Sequence, residues 1–401
     1  MTSVEALSEL SEDLVGLGLG AGLAAVGICG AEIFAGTRED LLERKRHGLA
    51  ADMQFTYRNP ERSTDPGRII PGAKALVVGA WSYRHPEPVG PVRLQRQQPK
   101  QPKQPKQHTE LTQVAQPTEP RRSTESERPT ARVARYARCD HYASLRKALS
   151  PIVESLRGLG WRATVVCDDN GLVDRAAAHR AGLGWFGKNS LLLLPELGSW
   201  FVLGSVVTDA PLRPTAPTTA SPHAEGCGTC SRCMTSCPTG ALVAPGVLDA
   251  RRCLAWLVQS PGSFPEQYRR ALGDRIYGCD ECQQVCPINL LADRRVPASA
   301  PDPDSAPWVD LLNLLDATDD ELLSSHGRWY IPERDPRYLR RNALVALGNV
   351  GDGYDPATEA TLRHWLSVDD EMIVEHARWA AGELGRNDLV EGDPEAEGVN
   401  R

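Results

Sequence analysis

Histidine is missing from the part of this chain where cysteine is dense. Eight of the eleven cysteines lie between Cys227 and Cys286, and the nearest histidine, His223, stands outside that stretch. A structural zinc site closes four ligands and often draws on histidine, so zinc is disfavoured. A secretory context is lacking too. The N-terminus, Met1 to Glu5, has neither the basic start of a signal peptide nor a twin-arginine signal, which argues against a disulfide framework. Long apolar runs are scarce. Leu14 to Ala31 is uncharged, but six of its residues are glycine and polar sequence follows. It reads as a helix end, a glycine turn and a strand, with no membrane span. Its Gly20-Ala-Gly22-Leu-Ala-Ala25 imitates a dinucleotide fingerprint, yet it follows a helix and enters a strand, the reverse of the order required. The net charge of −7 excludes a globally basic protein and leaves a local basic face open.

What is present is a ferredoxin pattern. Cys227, Cys230, Cys233 and Cys237 follow the spacing Cys-x2-Cys-x2-Cys-x3-Cys-Pro. Cys279, Cys282 and Cys286 repeat its last three positions, and Cys253 stands in for the first. In two-cluster ferredoxins the short run wraps one cluster and the cysteine before proline reaches the other. Cys227, Cys230, Cys233 and Cys286 are therefore expected to hold one 4Fe-4S cluster. Cys253, Cys279, Cys282 and Cys237 are expected to hold a second. Free thiolates in such numbers suit a reducing compartment.

Around this module the chain divides into an α/β domain at 1–208, the ferredoxin-like module at 222–292, a helical tail at 308–388 and a disordered end at 389–401. In the first domain, helices are expected at Val4–Leu17 and Arg38–Leu49, and strands at Ala24–Cys29, Ala75–Trp81, Ala163–Cys167 and Trp200–Val207. The strand Ala75–Trp81 is continuously apolar, as when both faces of a sheet are covered. Apolar residues at helical spacing run from His141 to Gly160, with Pro151 expected to kink the helix or start a second one. About 85–130 lies an insertion containing QRQQPKQPKQPKQ, too polar to fold and read as a solvated loop.

The tail carries a weak repeat. Asn342 to Gly351 recurs 34 residues on as His376 to Gly385, matching in alanines and glycines. Stacked helix pairs of this kind form a HEAT-like solenoid. Before it, Arg334, Arg337, Arg340 and Arg341 are interleaved with Trp329, Tyr330 and Tyr338, a mixture suited to an RNA backbone and exposed bases. The competing reading pairs those arginines with neighbours such as Glu333 and Asp335.

These parts together resemble the epoxyqueuosine reductases, over nearly the whole chain except the insertion. The resemblance is carried by Ala181 to Asn189 (AGLGWFGKN), Leu197 to Phe201 (LGSWF), the run from Cys227 to Leu242, and Tyr277 to Pro287. It implies a nitroreductase-like α/β domain that holds cobalamin, a ferredoxin-like module and a tRNA-gripping tail. The implied reaction reduces epoxyqueuosine to queuosine at the wobble position of tRNA, with electrons passing from the clusters to cobalamin. The implied setting is the cytoplasm, with an external flavodoxin- or ferredoxin-like donor, no membrane, and a monomer. By resemblance Asp174 is the general acid, against the plainer role of capping the helix after it. Arg62, Gly198, Ser199 and Lys188 carry over as corrinoid contacts, although Arg62 could be a surface cation and Lys188 a helix cap. The family's Gly-x-Asp-Tyr-His becomes Arg138-Cys-Asp140-His141-Tyr142, so no role is assigned to that histidine or tyrosine. Two other classes compete: a reductive-dehalogenase-like corrinoid enzyme, and a plain electron-transfer protein.

Overall fold

The structure, a computed structural model, describes residues 3–85, 128–215, 225–295 and 305–391. The glutamine-, proline- and lysine-rich sequence and the end of the chain from 392 lie outside the described residues. Residues 389–391, read above as the start of a disordered end, continue a helical turn, Asp388–Glu391, instead.

The first domain is one four-stranded sheet between helices. Its strands are β1 (Ala25–Gly30), β2 (Ala75–Ser82), β3 (Ala163–Val166) and β4 (Phe201–Thr208), in the order β1-β2-β4-β3 and antiparallel throughout. Both faces are covered, which is why β2 and β4 are apolar apart from Ser82, Ser205 and Thr208. Leu76, Val78, Ala80 and Leu203 point into one core, shared with α3 (Asp174–Arg180). Ala75, Val77, Val202 and Val206 point into another, shared with α1 (Ser3–Gly20) and α2 (His141–Gly158). Such runs usually mark parallel sheets; here the same burial is achieved by an antiparallel one. Gly79 and Gly204 face each other across the two strands. A Cβ on them would come within 2.8 Å of Leu23 and 2.7 Å of Cys167, so the bare backbone lets the covering layer close down. Pro151 neither breaks α2 nor starts a new helix. The helix runs on to Gly158, giving up one backbone donor.

A second sheet joins distant parts of the chain. Thr130–Val133 lies at its centre, parallel to Arg275–Tyr277 and antiparallel to Trp308–Asp310. The strand that follows the insertion thus belongs with the cysteine-rich region and the tail. One apolar core runs from Ala131 and Val133 through Leu254, Phe264 and Ile276 to Leu311, Leu344 and Leu384.

The tail contains α4 (Arg337–Val350), α5 (Pro356–Leu366) and α6 (Glu371–Glu383). The two copies of the repeat fall on α4 and α6, which pack directly on each other. Asp355 and Asp370 cap α5 and α6, each accepting a backbone N–H three residues on. The repeated glycine has a packing reason. A Cβ on Gly348 would lie 2.8 Å from the Trp379 ring and 2.9 Å from the Ala380 Cα, so α4 and α6 touch backbone to backbone there. Gly348→Ala is expected to destabilise the protein by about 1–3 kcal/mol through overpacking, read as a lower denaturation midpoint.

Candidate active site

The loop Asp168–Val173 links β3 to α3 and delivers Asp174 as the first residue of that helix. Asp168 itself is left-handed (φ 52°), a conformation that a non-glycine residue holds only under constraint. Asp174 is not a cap. The N-cap position is Val173, and no side chain caps this end. The Asp174 Oδ1 atom is shut off from solvent and has no hydrogen-bond partner. Burial raises its carboxyl well above the ordinary value, and Asp168 and Asp169 push further the same way against Arg175. A carboxylate in the first turn of a helix would ordinarily be favoured as an anion; here burial and like charge win. The result is an acid that releases its proton less readily than an ordinary carboxyl.

Two neighbours of this acid were not foreseen from the sequence. The Tyr142 phenol is raised by burial and then by the charges of Asp168 and Asp174. Cys167 is pushed up to about 11, chiefly by burial, with Arg146 opposing and Asp174 and Asp168 adding to the rise. In the altered Arg138–Tyr142 segment, Asp140 Oδ1 caps α2 by accepting the Ala143 N–H at 2.9 Å. His141 is buried with its ring 5.1 Å from that of Tyr83. The acidic run Asp168–Asp169 is visible in the sequence, but nothing there says that it folds beside Asp174.

All eleven cysteines are free, which removes the disulfide reading. The eight in the motif fall into two neighbourhoods. Cys233 is raised by burial and then by Cys227, Cys286 and Cys230. Cys286 likewise feels Cys227 and Cys230. On the other side, Cys253 rises to about 11 through burial and then Cys279, with Cys237 contributing. Cys282 is raised by burial and then by Cys279, Cys253, Cys233 and Cys237, the Cys233 term being the link between the groups. Among the described residues no three His, Cys, Asp or Glu side chains converge enough to share a single ion. Backbone amides point at the sulfurs, as Ala241 N–H does at Cys237 Sγ (3.2 Å). Burial would raise Cys237, but such donors outweigh it and hold the thiol below its usual value. Bound iron would reverse the rise of the others, since a coordinating thiol is deprotonated outright.

Between acid and thiols lie the two loops singled out in the sequence. Lys188 Nζ donates to the Gly228 carbonyl at 2.7 Å, inside the first cysteine loop. Its neighbour Asn189 donates to the Cys282 carbonyl at 3.5 Å. Ser199 is 4% exposed, and its N–H (2.7 Å) and hydroxyl are both engaged with Asn289. Gln283 Nε2 donates to the Ser199 carbonyl (3.0 Å) and approaches the Tyr83 hydroxyl (3.3 Å). Gly198 (φ 67°) is glycine because a Cβ would fall 2.0 Å from Asn289 Oδ1. Lys188, Gly198 and Ser199 therefore clamp the α/β domain to the cysteine module, and their polar groups are already committed. Arg62 is exposed on the turn Pro60–Ser63.

The four arginines of the tail separate in the same way. Arg341 is 0% exposed and donates to the carbonyls of Ser260, Leu257 and Val258. Arg340 is buried, paired with Asp319 and donating to the Ala317 carbonyl. Neither offers its charge to an RNA, because a guanidinium surrounded by carbonyls has no face left for phosphate. Arg337 bridges Asp335 and Asp370, and Arg334 remains exposed.

Residues 226–289 match the family of 4Fe-4S double cluster binding domains. The chain is therefore an iron–sulfur protein with two 4Fe-4S clusters, joined to a sheet domain whose acid releases its proton less readily than usual. An epoxyqueuosine reductase of Vibrio cholerae is 38% identical over 259 residues, covering 63% of this chain and 68% of the relative. One from Bacillus cereus is 29% identical over 390 residues, covering 96% and 91%. A crystal structure of epoxyqueuosine reductase with an epoxyqueuosine-modified tRNA-Tyr stem loop superposes with a TM-score of 0.78 at 26% identity, over 98% of this chain and 95% of that one. The chain belongs to the epoxyqueuosine reductase family and is an oxidoreductase.

Proposed function

We propose that this protein reduces epoxyqueuosine to queuosine at the wobble position of tRNA. The observation that carries the reading is a carboxyl oxygen of Asp174, closed to solvent and without a partner, in a domain clamped directly to two thiolate neighbourhoods. Its parts would be the nitroreductase-like α/β domain (1–208), the cluster module (222–292) and a HEAT-like tail (308–388). Removing the epoxide oxygen takes two electrons and two protons and leaves an alkene and water. The clusters supply electrons singly at low potential, and cobalamin supplies, when bound, the metal chemistry that side chains lack. Cys227, Cys230, Cys233 and Cys286 would hold one cluster, and Cys237, Cys253, Cys279 and Cys282 the other. The orphaned Oδ1 of Asp174 fits a site that a bound group and substrate would complete, with Arg62 at the rim.

In this reading Asp174 holds a proton at its carboxyl and gives it to the departing oxygen as negative charge develops there. Asp168 and Asp169 keep that proton in place by repulsion. The Lys188 and Ser199 contacts fix the distance between acid and thiolates. An external one-electron donor of the flavodoxin or ferredoxin kind would refill the clusters of a cytoplasmic monomer. Among the described residues no helix is long and apolar enough to cross a membrane.

The test is reconstitution under anaerobic conditions. The protein is expected to take up about eight iron atoms, as its eight thiolates imply, together with one corrinoid. Iron uptake without a corrinoid would favour a plain electron-transfer protein.

A further inference from the structure

The mouth of the acid site carries an aromatic pair built from opposite ends of the chain. Phe55, on the short helix Phe55–Arg58, and Tyr330, ahead of Pro332, have ring centroids 5.5 Å apart at 54°. Phe55 is half-buried and Tyr330 is 42% exposed. Of the three aromatics interleaved with the tail arginines, Tyr330 is the one at the surface: Trp329 is buried and Tyr338 is half-buried against the tail core.

Tyr330 is exposed but not loose. Its backbone N–H donates to the Tyr277 hydroxyl (2.8 Å), which donates back to the Tyr330 carbonyl (3.3 Å). Tyr277 stacks on Trp329 at 4.6 Å and 9°, and Trp329 stacks on His326 at 4.5 Å and 18°. The Trp329 indole N–H is tied to the Ala137 carbonyl at 2.8 Å. Just beyond, Glu333 and Arg334 are both left-handed (φ 54° and 55°), strain that the surrounding structure must maintain. A three-ring stack and a strained turn thus hold one tyrosine ring out towards solvent. The place is near the acid: Tyr57, on the same short helix as Phe55, packs against the core that holds Leu172 and Val173, the two residues before Asp174. Exposed arginines follow each ring in the chain, Arg58 and Arg62 after Phe55 and Arg334 after Tyr330, with Arg334 donating to the Gly327 carbonyl (3.2 Å) and Glu333 the exposed acidic residue in the turn.

We propose that Phe55 and Tyr330 form a stacking lip for an unpaired nucleobase next to the reacting nucleotide, with Arg58, Arg62 and Arg334 placed for its phosphates. The inference rests on the function proposed above and names how the substrate loop is gripped. A rigid exposed aromatic beside cations takes a splayed base by its π-face whatever its identity. Such a lip would open the anticodon loop and present the modified base to Asp174. It assigns RNA grip to the cleft mouth, where the tail and the α/β domain meet, and not to the buried arginines of α4.

The experiment is equilibrium binding of an epoxyqueuosine-modified anticodon stem-loop, and of versions abasic at each other loop position, to the holoenzyme. Tyr330→Ala is expected to weaken binding about tenfold, the usual scale of one base–aromatic stack, with Tyr330→Trp restoring it. One abasic position should weaken the wild type by the same factor and leave Tyr330→Ala unaffected. Phe55→Ala should repeat the pattern and serves as the second variant if Tyr330→Ala folds poorly. Wild-type affinity in both variants, or a loss that persists at every abasic position, overturns the lip alone. Wild-type protein that does not bind the modified stem-loop overturns the proposed function with it.

Discussion

Asp174→Asn is expected to keep both clusters and lose turnover by about 10²- to 10⁴-fold, the range for removing a general acid. The substitution preserves shape and takes away the transferable proton. In the wild type the protonated form is the active one, so the rate should hold on the acid side and fall as pH rises through the raised Asp174 value. A pH–rate profile reads this directly. Stability gives a second, independent readout. The folded chain holds this proton to a higher pH than the unfolded chain, whose carboxyl titrates at about 3.9. The contribution is therefore fully present below that value and is lost as pH rises towards the folded one. Asparagine has no such loss. The variant should be less active yet more heat-resistant near pH 8, with the difference closing as pH falls towards about 4. A helix cap would behave in the opposite way, losing stability and keeping activity, and the missing cap hydrogen bond already speaks against it.

Arg341→Met should be the most damaging change in the tail. The guanidinium is fully buried without a carboxylate, and burial lowers its pKa to about 10, leaving it charged at neutral pH. It satisfies carbonyls from Leu257 to Gly262, in the segment that follows Cys253, and holds Asn342 Oδ1 at 2.9 Å. Methionine fills part of the space but leaves those carbonyls buried and unpaired. The expected cost is about 3–5 kcal/mol. Chemical denaturation should show the loss, and the iron content should drop because the Cys253 loop loses its support. An Arg341 variant with normal stability and weaker tRNA binding would restore it as an RNA contact. The same geometry makes a joint Arg340 and Arg341 replacement a test of folding.

The parts legible in the sequence are those encoded by spacing. Cysteine intervals announced the cluster module, and the separation of Gly348 from Gly382 on packed helices was visible as a repeat. Runs of apolar residues in β2 and β4 correctly announced a sheet covered on both faces, while its antiparallel order was not visible, because burial sets the pattern and direction does not. Direction is also what the sequence withholds for Lys188, Ser199 and Arg341. Each is a polar residue in a motif, and a motif gives no vector; the partners that claim them, Gly228, Asn289 and the Ser260 carbonyl, are remote in sequence. The strand Thr130–Val133 was hidden for a related reason, since both of its partners come from parts of the chain beyond residue 270. Tyr142, at the start of α2, and Asp168, in the left-handed turn before α3, bear on Asp174 from separate elements, a proximity that spacing does not encode.

The most direct test of the account is single-turnover conversion. The reconstituted, chemically reduced protein with cobalamin is incubated anaerobically with an epoxyqueuosine-modified stem-loop, and its nucleosides are read by mass spectrometry. The account predicts a modified nucleoside lighter by one oxygen atom and coeluting with queuosine, absent with Asp174→Asn. Unchanged epoxyqueuosine with fully loaded, fully reduced wild-type protein would contradict it.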